Sequence, residues 1–133
     1  MIERLLVALA LLALGFAAYQ VINRRQISRT TALAPHDPLL SGLKPGIATI
    51  VYFTTPTCIP CKTQQMPALT RLQQELGEAV QIVQVDATED PDAAQRWGVL
   101  SVPTTFVLDA TGTTRAVNHG VAEADKLRQQ LAA

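Results

Sequence analysis

Ile47-Ala48-Thr49-Ile50-Val51-Tyr52-Phe53, followed by Cys58-Ile59-Pro60-Cys61, is the stretch of sequence that decides the fold. The first segment is a run of β-branched and aromatic residues, which predicts a buried strand. The segment from Ile59 to Leu76 carries apolar residues at helical spacing, namely Met66, Leu69, Leu72 and Leu76. The cysteine pair therefore lies at the junction between a strand and a long helix.

A cysteine pair at the start of a helix has a specific chemistry. The first turn of a helix has unpaired backbone N–H groups and the positive end of the helix dipole, and both stabilise a thiolate. The thiolate is the species that attacks a disulfide. Cys61 lies about one helical turn beyond Cys58 on the same helix face, within reach of its sulfur. This spacing favours a redox-active dithiol, with an inert structural disulfide and half of a metal site as the alternatives.

The metal alternative has little support in the spacing of possible ligands. A structural zinc site needs four ligands, and the histidines available are His36 and His119. They lie 22 residues before Cys58 and 58 residues after Cys61, which is not the spacing of a zinc finger. We therefore expect no metal site within the chain.

Beyond the first helix, the sequence alternates between strand and helix patterns. The expected elements are a strand at 80–85, a helix from Asp90 to Gly98, strands at 104–108 and 113–118, and a last helix near 121–131. Strands separated by helices predict parallel crossovers, and the turn at Gly112 predicts an antiparallel hairpin. The fold class is α/β, with a mixed sheet of four to five strands flanked by helices.

Residues 47–133 resemble the thioredoxin superfamily. The matching motifs are the strand Ile50–Phe53, Cys58-Ile59-Pro60-Cys61-Lys62, Arg96-Trp97-Gly98-Val99, Val102-Pro103-Thr104 and Gly120. The resemblance implies a thioredoxin-like fold, in which Cys58 is the nucleophile and Cys61 the resolving thiol. It also implies a cis peptide bond before Pro103 and a substrate groove formed by Ile59, Pro60, Val102 and Pro103. The implied partners are protein disulfides or dithiols and a redox partner protein, with no bound cofactor.

Three positions depart from the pattern of this family. Thioredoxins typically carry a tryptophan immediately before the first cysteine, where this chain has Thr57. The buried aspartate of the active-site strand is replaced by Tyr52, and its neighbouring lysine by Ile82. The buried proton acceptor for Cys61 is therefore missing from its usual place.

The N-terminal segment predicts a membrane anchor over residues 1–23. Leu5 to Ala18 is an unbroken apolar run once Gly15 is counted as neutral, and 19–22 extend it. A bilayer-spanning helix needs about 20 apolar residues. A cleaved signal peptide and a buried core helix are the alternatives. The basic residues after the run, Arg24, Arg25 and Arg29, mildly favour a cytoplasmic position for the C-terminal domain.

Residues 24–46 show no clear hydrophobic period and contain prolines and glycines, namely Pro35, Pro38, Gly42, Pro45 and Gly46. This composition predicts an irregular tether between the anchor and a domain at 47–133.

Composition excludes two classes of protein. The formal net charge is +0, so a strongly basic nucleic-acid-binding protein is excluded, and 48% hydrophobic residues exclude global disorder. The sequence as a whole indicates a membrane-tethered thiol–disulfide oxidoreductase. The alternative is a non-catalytic binding module at the membrane, or one that assembles a metal such as Cu(I), which soft thiolates suit.

Overall fold

The computed structural model describes residues 1–132, and its domain is built on a four-stranded sheet. The long N-terminal helix α1 is followed by the first strand, and strands and helices then alternate as the sequence predicts. The element bounds are α1 Ile2–Leu33, β1 Ala48–Thr54, α2 Met66–Leu76, β2 Val80–Asp86, α3 Pro91–Arg96, β3 Thr104–Leu108, β4 Thr114–His119 and α4 Ala124–Ala132. Short 3₁₀ turns lie at Ala34–His36, Pro38–Leu40 and Gly77–Ala79.

The sheet has the order β2-β1-β3-β4 and confirms the mixed topology. β1 and β2 are parallel, and β3 is antiparallel to both β1 and β4. The expected parallel crossover from β2 to β3 is wrong. A parallel crossover must return the chain along the whole length of a strand, about 20 Å for seven residues. The connection here contains only the six residues of α3, about 9 Å of helix, and the rest of 87–103 forms turns and bends, so β3 starts at the end of the sheet where β2 finishes.

The two faces of the sheet have different cores. Alternate residues of β1 point to opposite faces, with Tyr52 on one and Phe53 on the other. The first face is covered by α2 and α4, and it also carries both cysteines, so we call it the redox face. The second is centred on Phe53, Trp97 and Phe106, whose ring centroids lie 5.0 to 6.2 Å apart, and we call it the aromatic face.

The region from 24 to 46 is not the irregular tether that its composition predicts. α1 continues without interruption to Leu33. Residues 1–19 are exposed all round, whereas from Gln20 onward the partly or fully buried positions recur at the spacing of one helix face: Gln20, Asn23, Gln26, Ile27, Thr30, Thr31, Leu33 and Ala34. Most of these side chains are polar, so a search for apolar residues does not detect the pattern.

Specific contacts hold the second half of α1 against the domain. The Thr30 hydroxyl donates a buried hydrogen bond to the Thr114 hydroxyl at 3.0 Å. The backbone N–H of Thr114 donates to the Thr31 hydroxyl at 3.1 Å. Four residues before Thr30, the Gln26 amide donates to the carbonyl oxygen of Gly98 at 3.1 Å. α1 is thus part of the packed structure at its C-terminal end.

A buried carboxylate joins the segment after α1 to the aromatic face. Asp37 accepts hydrogen bonds from the indole N–H of Trp97 at 2.9 Å, the guanidinium of Arg96 at 3.2 Å and the backbone N–H of Leu39 at 3.0 Å. Burial alone would raise the pKa of Asp37, but the hydrogen bonds from Arg96, Leu39 and Trp97 and the charge of Arg96 hold that pKa below its usual value.

Candidate active site

Cys58 and Cys61 form a disulfide at the junction of β1 and the following helix, with an S–S distance of 2.08 Å. The first helical residue is Ile59, so the pair lies in the first helical turn, as the sequence predicts. The backbone N–H of Cys61 donates a hydrogen bond to the sulfur of Cys58 at 3.2 Å. Cys58 retains 8% of its surface and Cys61 none. Of the two cysteines, Cys58 is therefore the one that solvent or a substrate can approach.

The helix that carries the pair widens immediately after it. Residues Cys61–Gln65 form a π turn, in which the backbone N–H of Met66 bonds to the carbonyl of Cys61, five residues earlier. Pro67 has no N–H to bond to Thr63, and its ring would crowd the Thr63 carbonyl in a regular α-helix. The wider turn accommodates one extra residue before α2 continues, and such turns are frequent at functional sites.

Tyr52 lies beneath Cys61. Its side chain is fully buried, and its hydroxyl donates to the carbonyl oxygen of Cys61 at 3.4 Å. Burial raises the pKa of Tyr52 above its ordinary value, so the phenol stays protonated at neutral pH. The position that the family fills with a carboxylate therefore holds a neutral hydrogen-bond donor.

The opposite wall of the site is the loop that enters β3. The Val102-Pro103 peptide bond is cis, as the resemblance implies. The carbonyl oxygen of Pro103 accepts the backbone N–H of Gly120 at 2.9 Å, which fixes the loop to the end of β4. Within residues 1–132, neither backbone group of Val102 has a hydrogen-bond partner, so both are free to pair with another chain.

The predicted groove residues differ in exposure. Ile59 is 71% exposed and Pro60 is exposed beside it, whereas Val102 is partly buried and Pro103 is buried. Val102 packs against the hydrophobic cluster that contains both cysteines, so the loop and the pair belong to one site. The role of these four residues in binding a substrate stays a prediction.

Gln65 is a residue of the site that sequence reasoning missed. It is fully buried, and its amide makes two hydrogen bonds to the backbone of Ala122: the side chain donates to the carbonyl at 3.0 Å and accepts the N–H at 2.8 Å. This pairing fastens the segment between β4 and α4 to the helix of the cysteines. One signal was available, because Gln65 lies on the same helical stripe as Cys61 and Leu69.

The described residues do not bring metal ligands together. Within residues 1–132, no group of three or more His, Cys, Asp and Glu side chains is placed to hold a metal ion. Asp37 is the only buried carboxylate among the same residues, and it lies on the aromatic face.

Comparison with known proteins gives results that agree with this geometry. The family model described as Thioredoxin matches residues 42–133. A thioredoxin of Bacillus subtilis is 43% identical over 56 residues, which cover 42% of this chain and 53% of that protein. The thioredoxin-like protein YneN of Bacillus subtilis is 24% identical over an alignment of 150 positions, gaps included, which covers 88% of each chain. The chain spans about half the length of the bacterial thioredoxins that it matches.

Solved structures show the same architecture. Oxidised mitochondrial thioredoxin 3 from Saccharomyces cerevisiae superposes with a TM-score of 0.57 and 27% sequence identity, covering 67% of this chain and 79% of the yeast chain.

Proposed function

The chain belongs to the thioredoxin family, and on this premise we propose that it is a membrane-tethered thiol–disulfide oxidoreductase acting on protein substrates. The observation that carries the proposal is the Cys58–Cys61 disulfide at a helix start, opposite a cis-proline loop whose Val102 backbone groups are unpaired.

The reaction divides into two exchanges. The Cys58 thiolate attacks one sulfur of a substrate disulfide, so a mixed disulfide forms and the other substrate sulfur leaves as a thiolate. The Cys61 thiolate then attacks the sulfur of Cys58, which releases the second substrate sulfur and closes the enzyme disulfide. Two electrons pass from the dithiol to the substrate, and a redox partner protein with its own dithiol restores them. Run in reverse, the same steps oxidise a substrate dithiol.

The protein stabilises the charge that develops on Cys58. The N–H of Cys61 already points at that sulfur, and the first turn of the helix adds its unpaired N–H groups and its dipole. The unpaired N–H and C=O of Val102 would hold an extended substrate segment by strand addition. Ile59, exposed beside the pair, would pack against the side chains of that segment.

Within residues 1–132, no buried carboxylate lies on the redox face to receive the proton of Cys61. Tyr52 is a neutral donor and not a base, and Asp37 is on the other side of the sheet. The departing substrate thiolate, formed in the first exchange, is the base at hand and takes this proton. The second exchange then depends on the basicity of the substrate thiol.

A turnover assay with two cysteine variants tests the proposed activity. The full chain in detergent should catalyse reduction of a disulfide peptide by dithiothreitol, and Cys58→Ser should abolish catalysis. Cys61→Ser, reduced and freed of dithiothreitol before the peptide is added, should accumulate a mixed disulfide with the peptide, because the thiol that would resolve it is gone. Gln64→Ala, an exposed neighbour on the same helix, is the matched control and should keep full activity. Absence of catalysis, with Cu(I) retained by the reduced chain, would instead support a metal-assembly module.

The membrane part of the proposal rests on α1. Among residues 1–132, α1 with its following turn is the one helix long and apolar enough to span a bilayer, a property that signal sequences share. No part of the domain packs against the apolar side chains of residues 2–19, which are exposed, and a lipid bilayer would cover them. Arg24, Arg25 and Arg29 favour a cytoplasmic domain.

Fractionation tests the anchor and its orientation. The chain should stay in membranes after alkaline carbonate extraction, and Leu12→Arg should weaken insertion by about 3 kcal/mol, whereas Leu12→Ile should not. External protease should cleave the domain only after the cells are lysed. Release by carbonate, or a shortened N-terminus, would contradict the anchor.

A further inference from the structure

The catalytic end of the sheet is the end at which β1 and β4 finish and β3 begins. Cys58 follows β1, Pro103 precedes β3, and His119 closes β4 opposite Thr104. All these groups lie at one end because β1 and β4 both run toward it and β3 runs away from it.

α1 leaves the domain at this same end. Thr30 contacts Thr114, the first residue of β4 and the one farthest from the catalytic end. Gln26 contacts Gly98, close to the cis-proline loop. Toward its N-terminus, α1 lines a cleft of about 450 Å³ with Tyr19 and Ile22, and the opposite wall includes Leu100 and His119. α1 is therefore antiparallel to β4, and its apolar half extends past the catalytic end.

The rise per residue of a strand and of a helix shows how far β4 and α1 each extend toward the catalytic end. From Thr114 to His119, β4 advances about 17 Å toward the catalytic end. From Thr30 back to Tyr19, α1 advances about 16 Å in the same direction. The catalytic end is therefore level with α1 near Tyr19. That residue lies at the close of the apolar run, where a spanning helix leaves the hydrocarbon region.

Two exposed apolar side chains lie at this level, and one of them, Leu100, lines the cleft beside α1. Beyond residues 1–33, the large hydrophobic side chains exposed within residues 1–132 are Leu100, at 94%, and Ile59, at 71%, both at the catalytic end. Of the acidic residues at this end, Asp86 closes β2, the strand farthest from β4 in the sheet, and Glu89 follows it. Glu123 follows β4 and precedes α4, which covers the redox face and not the face that α1 contacts. The exposed apolar groups thus lie where the bilayer would meet the domain.

The connection between the bilayer and the domain is stiff. α1 is one continuous helix from Ile2 to Leu33, with no proline or glycine between 16 and 33. Its hydrogen bonds through Gln26, Thr30 and Thr31 fix it against the domain. The domain therefore keeps a set orientation relative to the spanning segment.

We propose that the catalytic end faces the bilayer, with Leu100 and Ile59 inserted into its interfacial layer, and that the substrates are cysteines held at that depth. This inference rests on the proposed anchor. Interfacial burial of exposed leucine and isoleucine side chains stabilises the docked position. A cysteine pair of a membrane-bound client, close to the lipid surface, meets Cys58 directly, whereas a pair far from the membrane does not.

Depth-dependent quenching tests the docking. Leu100→Trp in the full chain, reconstituted into phosphatidylcholine vesicles, places an indole at the proposed contact. Ala110→Trp places one in the β3–β4 turn at the opposite end of the domain and is the matched control. Trp97 is fully buried and contributes the same background to both variants. In vesicles the Leu100→Trp emission should be shifted to the blue by the apolar surroundings, and lipids brominated near the carbonyl end of the acyl chains should quench it, whereas Ala110→Trp should show neither change.

The outcomes separate this inference from the anchor. If the chain floats with the vesicles but Leu100→Trp is not quenched, or Ala110→Trp is quenched instead, the orientation is overturned and the anchor stands. If the chain does not float with the vesicles, both the anchor and the orientation are overturned. If Leu100→Trp alone is quenched, exchange with a vesicle-bound peptide should be faster when its cysteine pair adjoins the membrane than when a long flexible linker separates them.

Discussion

The two faces of the sheet are built from the same strands but are completed by different kinds of segment. The redox face is closed by α2 and α4, whose apolar residues follow regular helical spacing. The aromatic face is closed by α3 and by the second half of α1, which reaches it through polar contacts and the buried carboxylate of Asp37. One face thus carries the chemistry, and the other joins the domain to its N-terminal helix.

This difference indicates a division of labour. Changes on the aromatic face should alter stability and the attachment of α1 while leaving exchange by the folded molecule intact. Changes on the redox face should alter both properties, because packing and chemistry share the same residues there. Four substitutions test this division.

Phe106→Ala should have the largest effect on stability. The ring is fully buried and meets Trp97 edge to face at a centroid distance of 5.0 Å. Its removal leaves a cavity that should cost about 3–5 kcal/mol. Urea unfolding of the full chain in detergent, followed by Trp97 fluorescence, measures the loss, and Phe106→Leu should lose less. A reduced exchange rate per folded molecule would contradict the division between the faces.

Asp37→Asn should rank second, with a loss of about 3 kcal/mol at neutral pH, because a charged buried acceptor is replaced by a neutral one. The pKa of Asp37 is lowered in the folded state, so its contribution is complete above the ordinary value of 3.8 and disappears as the pH falls through the folded-state pKa. Unfolding of both proteins at neutral pH and in acid should show the difference shrinking in acid. A difference that stays constant or grows in acid would contradict this account.

Gln65→Ala should cost about 2 kcal/mol, because both backbone groups of Ala122 lose their partner in a buried setting. Gln64→Ala, one position earlier and exposed, should be neutral. Unlike Phe106→Ala, the Gln65 variant should also slow exchange, since it loosens the support of the helix that carries Cys61. Unfolding and peptide-reduction assays on both variants measure these effects. Equal behaviour of the two variants would remove Gln65 from the site.

Thr30→Val should have the smallest effect, about 1 kcal/mol, from loss of the hydrogen bond to Thr114. Ser28→Ala, on the exposed side of the same helix, should leave stability unchanged. Hydrogen exchange of the β4 backbone amides, Thr114 among them, should speed up in the first variant only. Unchanged exchange there would mean that α1 is not held by this contact.

Most of the strands and the helices between them could be predicted from the sequence. The strands near 80–85 and 104–108, the helix from Ile59 to Leu76 and the Asp90 cap appear within a residue or two of their expected bounds. They are encoded by local signals such as β-branched runs, apolar residues three or four apart and a cap residue before a proline. The cis bond at Pro103 follows from the resemblance alone, because no local pattern specifies it.

The parts that sequence reasoning missed depend on contacts between distant segments. The buried helical face of 20–34 is mostly polar, so it can be recognised only from its contacts with β4 and Gly98 in the folded structure. Glutamine is usually a surface residue, so the sequence gives no sign that Gln65 is buried. Its burial depends on the backbone of Ala122, 57 positions later. The direction of β3 depends on how far α3 extends, which propensity does not fix. Polar contacts between residues far apart in the sequence produce no periodic pattern that sequence analysis could detect.

The reversible redox couple of Cys58 and Cys61 is the central claim, and its reduction potential tests it most directly. The full chain in detergent would be equilibrated with graded dithiothreitol or glutathione buffers, acid-quenched and thiol-labelled. We predict a reversible two-electron transition involving both cysteines, approached equally from the oxidised and the reduced chain. A cysteine pair that stays oxidised at every buffer potential, or that does not re-form its disulfide after reduction, would contradict this claim. The non-catalytic binding module would then be the better account of the protein.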